Sequence, residues 1–320
     1  MSSSSGDSSA KVGYVGGGPG TYSEAAAVEY FTTSPDRPKG FVTKAVNNLE
    51  ELLSQVKSGE LDYGVVPIEN SLSGTMYGVY DHLIESEGVH IVGECAVFEE
   101  LCLVALPGTT FDAVKTVFSH PHVLQQCTGY LSRKLGKKLR QVNVADTVTG
   151  CNLLVEEKLT EAAAIASETA AKLNGLEVLE KGIGDRHDRV TRYLILSRNP
   201  AEIEALSKDI KCSIAVILQN VPGALFKTTS AFALRDINIS KFECQPAPSS
   251  RLLPTSLFEK HSAFWRYVFF IDFEPGGLVQ TQAVLSNLSE FASRVINFGI
   301  YRRNMPLQNR LAEEEWTAFL

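Results

Sequence analysis

No apolar run in this chain of 320 residues approaches the roughly 20 residues needed to cross a bilayer. No basic start leads into an apolar segment of the kind that marks secretion. Both absences predict a soluble protein with no membrane partner. Positive charge is scarce as well: 30 Lys and Arg stand against 37 Asp and Glu, a net charge of -7, with a pI near 5.5. That balance argues against a nucleic-acid partner and leaves room for a local positive pocket and a small anionic substrate. The six cysteines, Cys95, Cys102, Cys127, Cys151, Cys212 and Cys244, form no Cys-x-x-Cys pair and sit mainly among apolar neighbours. They predict small, reduced core residues of an intracellular protein. The six histidines show no His-x-x-x-His or His-x-x-Glu-His spacing, so no metal site is expected.

What is present is apolar residue enough, 44% of the chain, for two or three packing units. The polar start, residues 1–10, predicts a disordered tail. From Lys11 to about Ser197 short apolar runs alternate with helical patterns, an α/β layout. The runs are Val12 to Val15, Leu61 to Val66, His90 to Val92, Leu101 to Ala105, Ala163 to Ala166 and Tyr193 to Leu196. Pro121 suits a first helical position, and Val123, Cys127, Tyr130 and Leu131 then share one face. A further helix is expected directly after Asn70-Ser71, with Tyr77, Tyr80, Leu83 and Ile84 on one face and a serine to cap it.

Asn199-Pro200 and the polar segment to Asp209 mark a boundary. Beyond it the pattern gives a strand (Lys211 to Gln219), a helix (Gly223 to Arg235), two strands (Ile237 to Cys244, Arg266 to Phe273), a helix (Thr281 to Ala292) and a strand (Val295 to Tyr301). The order βαββαβ is that of a ferredoxin-like sandwich. Its open sheet edge invites a second copy, which predicts a homodimer or homotetramer.

Two stretches set polar side chains at the ends of mostly apolar strands, where they cost energy unless they hold something. They are Val66-Pro67-Ile68-Glu69-Asn70-Ser71 and Asp188-Arg189-Val190-Thr191-Arg192-Tyr193, and together they imply one cleft. Gly16-Gly17-Gly18-Pro19-Gly20-Thr21-Tyr22-Ser23 follows a strand and precedes an alanine-rich helix, so its N–H groups could face an anion or simply form a turn. Glu69, Asn70 and Ser71 offer a carboxyl, an amide and a hydroxyl within one turn, or else a helix cap. Ser119 and His120 lie at a helix mouth, where a histidine is more often a structural hydrogen-bonder than an acid or base. By default Arg192 is a surface residue and Thr191 a β-branched strand residue. No Ser-His-Asp arrangement or pair of catalytic carboxylates is legible, so the residues alone support a small-anion cleft.

Taken in order, Gly20-Thr21-Tyr22-Ser23-Glu24-Ala25-Ala26, Val66 to Ser71 with Gly74, Ser119-His120-Pro121, Ala164-Ile165-Ala166-Ser167 and Thr191-Arg192-Tyr193 resemble the prephenate dehydratases, including arogenate dehydratases, over roughly residues 11–303. The smaller unit resembles that family's ACT domain, with Asn220-Val221-Pro222-Gly223-Ala224-Leu225-Phe226 matching its first effector-binding motif. The resemblance implies a catalytic domain over 11–198 with a two-lobed, periplasmic-binding-protein-like α/β fold, an ACT domain over 211–303 and a C-terminal tail over 304–320. Lobe one would use about 11–90 and 180–197, and lobe two the middle. It also implies a carbon-oxygen lyase of phenylalanine biosynthesis, needing no cofactor, that converts prephenate to phenylpyruvate, carbon dioxide and water. Arogenate dehydratase, making phenylalanine directly, is the alternative, because the two substrates differ by a keto group against an ammonium and no single acidic residue claims the latter.

By the same resemblance Thr191, Ser71, Asn70 and Glu69 form the catalytic set, with Thr191 donating to the leaving hydroxyl and Glu69 orienting a partner. Thr21, Ser23, Ser119, His120 and Arg192 would bind substrate. Asn220, Gly223, Ala224, Leu225, Glu243 and Cys244 would bind an effector, phenylalanine. The chain departs from the family at Arg189, where Asn is usual, at Tyr193, where Phe is usual, and in a glycine loop one residue longer. Glu243-Cys244-Gln245-Pro246 stands where Glu-Ser-Arg-Pro is usual, exchanging a charged fork for a neutral amide. That exchange predicts weak inhibition by phenylalanine. A catalytically silent amino-acid sensor of the same fold is the rival from another class. The short serine-rich start lacks the arginine-rich length of a transit peptide, which favours the cytoplasm, with the plastid stroma the alternative if a transit peptide has been removed.

Overall fold

The computed structural model describes residues 9–34, 38, 40–136, 138–204, 209–246 and 267–303. The expected tails fall outside these residues at 1–8 and 304–320, while Ala10 already belongs to the first strand. Among the described residues no helix is long and apolar enough to cross a membrane.

The described chain divides into two compact units, one holding the residues up to Val79 and Cys95–Leu194, the other Tyr80–Glu94 and the residues from Ile195 onward. In the first sheet β1 (Ala10–Val15) pairs in parallel with β2 (Phe41–Val46) and β3 (Tyr63–Asn70). Parallel pairing requires crossovers, supplied by α1 (Tyr22–Thr33) and α2 (Leu49–Ser58). The sheet runs β2-β1-β3-β11-β5, with β5 (His90–Phe98) and β11 (Val190–Ser197), and a two-residue strand β4 (Gly74–Thr75) folds back on β3.

The second sheet has the order β10-β6-β9-β7-β8, built from β6 (Cys102–Ala105), β7 (Thr116–Ser119), β8 (Arg140–Asn143), β9 (Ala162–Ala166) and β10 (Glu177–Glu180). Strand β9 is central and buried throughout. Its alternation sends Ala163 and Ile165 into the same core as Val123 and Leu131, and Ala162, Ala164 and Ala166 against Cys151, Leu154 and Ala170. Small side chains on both faces let flanking helices approach closely. These are α4 (Pro121–Gln126) and α5 (Thr128–Lys134) on one face, α6 (Thr147–Glu156) and α7 (Glu168–Leu173) on the other. The two sheets are the two expected lobes with shifted limits: the first sheet adds β5, to Phe98, and β11, and the second sheet spans Cys102 to Glu180.

Three local expectations are corrected. The helix from Pro121 breaks at Cys127, whose φ of -114° and ψ of 9° end α4 and begin α5. The carboxylate of Asp185 accepts from the N–H groups of Gly129 and Tyr130, at 2.7 and 2.8 Å, and so satisfies donors that a new helix start exposes. Val123, Cys127, Tyr130 and Leu131 still bury together. The helix expected directly after Asn70-Ser71 is α3 (Tyr77–Glu85), because β3 continues through Asn70 and returns as β4; Tyr80, Leu83 and Ile84 are buried but Tyr77 is exposed. Five cysteines are buried core residues, their thiols pushed up by burial to about 11 for Cys102 and about 12 for Cys127 and Cys151, but Cys244 is exposed.

The second unit has the expected βαββαβ order: β12 (Ile210–Ile217), α8 (Ala224–Ala233), β13 (Asn238–Pro246), β14 (Tyr267–Glu274), α9 (Leu278–Ser289) and β15 (Arg294–Arg302), with sheet order β13-β14-β12-β15. Alternate residues Cys212, Ile214 and Val216 of β12 face Phe232 of α8 and Val284 and Leu288 of α9. The opposite face carries Lys211, Ser213 and Phe270 and is covered by the segment Tyr80–Glu94, which the sequence assigns to the catalytic domain. Tyr80 stacks on Phe270 at 4.1 Å, and Gly299 lets Ile91 approach where any side chain would strike its carbonyl. Lys211 Nζ holds both oxygens of Glu94 at 2.7 and 2.9 Å, and both side chains are almost fully buried.

A buried charge without its partner is far costlier than the pair. Lys211→Met is therefore expected to lower urea-unfolding stability by about 3–5 kcal/mol. Lys211→Met/Glu94→Leu should recover most of that loss.

Candidate active site

Between the two sheets of the first unit lies a cavity of about 310 Å³. From the first sheet it is lined by Thr21, Tyr22 and Ser23 at the start of α1, by Pro67 and Asn70 of β3, by Ser73 and Met76, and by Thr191 and Tyr193 of β11. From the second sheet and the connections it receives Glu99, His120, His122, Asp146 and Arg189.

Asn70 and Thr191 are its most constrained polar pair, 2% exposed each. The Asn70 carbonyl oxygen accepts from the N–H groups of Leu72 and Ser73, at 3.0 and 3.1 Å, and from the Ser73 hydroxyl at 3.2 Å. Those donors fix the amide's orientation, so its nitrogen donates to Thr191 Oγ1 at 2.8 Å. An oxygen that accepts this bond must send its own hydrogen elsewhere. Thr191 is thereby set up as a donor into the cavity.

Strand alternation decides what does not reach the cavity. Glu69 precedes Asn70 and Arg192 follows Thr191, so both point to the other face, where they pair at 3.0 Å. Neither is among the residues that line the cavity, although both were expected in the site, Arg192 as a substrate anchor and Glu69 in the catalytic set. Ser71 also lies off the cavity: its hydroxyl donates to the Asp188 carbonyl at 2.9 Å and accepts from Val190 N at 3.0 Å, clasping the start of β11. It does not cap a helix, and it is not among the residues that line the cavity. Ser119 is fully buried, its hydroxyl donating to the Ile165 carbonyl at 2.8 Å to tie β7 to β9. That bond takes it away from the cavity.

The glycine loop is committed to carboxylates of this chain. Gly17 N donates to Asp146 at 2.6 Å and Gly20 N to Glu24 at 2.7 Å, so these two amides are engaged by carboxylates rather than presented to an incoming anion. Thr21 caps α1, its Oγ1 accepting from Glu24 N at 3.2 Å. Bonds from Gly17 to Asp146, from Ser167 Oγ to Gly20 O (2.9 Å) and from Tyr22 OH to Glu100 O (2.6 Å) hold the loop and helix start against residues of the second sheet and its connections.

The cavity's cation is Arg189, which sequence reasoning singled out only as a departure. Its side chain pairs with Glu99 and donates to Gln126, and Tyr193 OH donates to the other Glu99 oxygen at 3.3 Å. Glu99 and Gln126 were missed, because nothing local marks a lone acid or amide as aimed at a residue 90 or 63 positions away; Ser73 was missed as well. Burial first, and Glu99 second, push the Tyr22 and Tyr193 phenols well above their ordinary range, so both stay protonated.

His120 caps α4 and lines the cavity; its Nδ1 accepts from His122 N at 3.3 Å, which leaves Nε2 to carry the proton of the neutral ring. Burial, then repulsion from His122 and Arg189, hold its pKa below the ordinary 6.5 against a smaller opposing pull from Asp146. The folded state therefore binds this proton less readily than the unfolded chain, and His120's contribution is present above 6.5 and is lost as pH falls from there through the lower folded pKa.

In the second unit a smaller cavity of about 150 Å³ is lined by Asn220, Ala224, Leu225, Tyr267 and Phe269 among others. Gly223, at φ +79°, turns the chain into α8 beside it. Glu243, Cys244 and Gln245 do not line it. Within the chain Glu243 pairs with Lys241 and Gln245 donates to Asp81 at 2.7 Å.

His120→Asn keeps a good N-cap and is expected to lose less melting temperature than the parent between pH 7 and pH 5. Ser71→Ala is expected to lower unfolding stability by about 1 kcal/mol, because it loosens a backbone clasp, with substrate KM little changed in steady-state assays.

The family model for prephenate dehydratases matches residues 12–201. The chain is 35% identical over 303 residues, 94% of its length and 74% of the relative's, to arogenate dehydratase/prephenate dehydratase 1, chloroplastic, of Arabidopsis thaliana. Among solved structures it resembles a prephenate dehydratase of Arthrobacter aurescens in complex with L-Phe, with a TM-score of 0.76 and 28% identity over 92% of this chain and 90% of that one. It also resembles GqqA, described as a novel type of quorum quenching acylase, with a TM-score of 0.75 and 26% identity over 93% of this chain and 99% of that one. A family match across more than half of the chain, together with a relative of this identity and coverage, places it: the chain belongs to the prephenate dehydratase family.

Proposed function

We propose that the chain catalyses the decarboxylating dehydration of prephenate to phenylpyruvate or of arogenate to phenylalanine, the step of phenylalanine biosynthesis that makes the ring aromatic. The observation that carries this assignment is Thr191, held as a donor by Asn70 in a cavity also lined by apolar Val15, Met76 and Val123. In the reaction the bond from the ring to its carboxylate breaks and carbon dioxide leaves. That electron pair completes the aromatic ring, and the ring hydroxyl departs and takes up a proton to become water. Hydroxide is a poor leaving group, so hydrogen-bond donation to its oxygen is where the protein can accelerate the step. Thr191 supplies that donation. The neutral Nε2–H of His120 is a second donor facing the same space.

The substrate carboxylate that remains in the product needs a cation, and Arg189 takes that role in place of the expected Arg192. A carboxylate that must leave as carbon dioxide reacts best without a cation to stabilise its charge. One guanidinium, pinned by Glu99 and Gln126, fits that division of labour. Asn220, Ala224 and Leu225 would hold an amino-acid effector in the smaller cavity, a reading supported by the complex of the Arthrobacter aurescens relative with L-Phe. The second unit then acts as an ACT domain, with pairing of its exposed sheet edge into a homodimer or homotetramer. The chloroplastic Arabidopsis relative supports a plastid location over a cytoplasmic one.

Incubation with each substrate, following phenylpyruvate absorbance or phenylalanine release, tests the proposal against a catalytically silent sensor. Thr191→Ala should lower kcat by roughly 10²–10⁴-fold with KM changed only a few-fold. An unchanged kcat removes Thr191 from the mechanism.

A further inference from the structure

The described residues lining the active cavity include one guanidinium, Arg189, and two carboxylates, Glu99 and Asp146. The carboxylates are used differently. Asp146 is bound by the backbone, one oxygen accepting from Thr149 N at 2.8 Å and the other from Gly17 N at 2.6 Å, which makes it a helix cap and loop clasp. Glu99 is held by side chains, Arg189 on one oxygen and Tyr193 on the other. Glu99 is 6% exposed and Arg189 9%. Each carboxylate oxygen offers two lone-pair sites and a guanidinium five donors, more than these bonds use.

A buried acid beside a buried base is the complement of an α-amino acid, with the ammonium on Glu99 and the carboxylate on Arg189. A 2-oxo acid supplies only the carboxylate. Its keto oxygen would meet Glu99 acceptor to acceptor, in a site where unpaired polar groups are costly. Thr191 lies two residues from Arg189, and both line the same cavity, so one substrate can meet the anchor and the donor. We propose that Glu99 is a specificity-determining residue, selecting a substrate whose side chain ends in an α-amino acid, arogenate, over the corresponding 2-oxo acid, prephenate. The inference rests on the dehydratase activity proposed above. Arg189 serves both substrates alike, so discrimination falls to Glu99.

The test compares kcat/KM for arogenate and prephenate in the parent, Glu99→Gln and Arg189→Gln, with melting curves for each. The parent is expected to favour arogenate by more than about tenfold, and Glu99→Gln to reduce that ratio by about tenfold or more. Arg189→Gln should lower both values by similar factors. A parent that prefers prephenate overturns the inference without recourse to any variant, as does a Glu99→Gln protein that folds and loses both activities equally. Turnover of neither substrate by the parent overturns the dehydratase assignment itself, whereas turnover with an unshifted ratio overturns only the role of Glu99.

Discussion

The hydrogen bond from Asn70 to Thr191 joins residues 121 positions apart, and the chemistry of the cavity depends on it. It requires β3 and β11 to be neighbours, which the chain achieves only after building and leaving the whole second sheet. It also requires Asn70 to be oriented, which the turn into β4 supplies through Leu72 and Ser73. Ser71, although outside the cavity, secures the same junction by clasping Asp188 and Val190. A hydroxyl that elsewhere in a strand would be incidental has its oxygen engaged as an acceptor by an amide that is itself held in orientation, which leaves its hydrogen free to be donated.

Charge in the cavity is similarly organised by pairing. Glu99, Gln126 and the pair Arg189 and Tyr193 come from three places in the chain and form one buried network, in which the cation is placed and the phenol kept protonated. Two of its members, Arg189 and Tyr193, are the positions at which the chain departs from its family's usual motif, and both touch Glu99. The second unit shows the same economy on its sheet face, where Lys211 is held by Glu94 and Ser213 bridges Asp272 and Tyr301.

Much of the fold was legible. The βαββαβ order follows from runs whose period changes between two and 3.6, and the alanine-rich β9 reads as a buried strand because nothing in it can face water. Thr191, Asn70, Thr21, Ser23 and His120 were marked as candidates and do line one cavity. Ser71, Ser119, Glu69 and Arg192 belong to the same motifs but point elsewhere. Motif membership reports proximity in sequence, while a strand sends neighbouring side chains to opposite faces. The break at Cys127 was illegible for a different reason, since the groups that stabilise it are oxygens of Asp185.

The sequence by itself determined the kinds of element, their order, the division near residue 200 and the family, because these follow from local periodicity and from motifs that need no partner to be recognised. Tertiary structure alone decided that Thr191 Oγ1 accepts from Asn70, that Arg189 and not Arg192 lines the cavity, that Glu99 enters it at all, and that Tyr80–Glu94 packs with the second unit rather than the first. Those outcomes depend on hydrogen-bond directions over a few ångströms between residues far apart in the chain. No local pattern records such directions until folding brings the partners together.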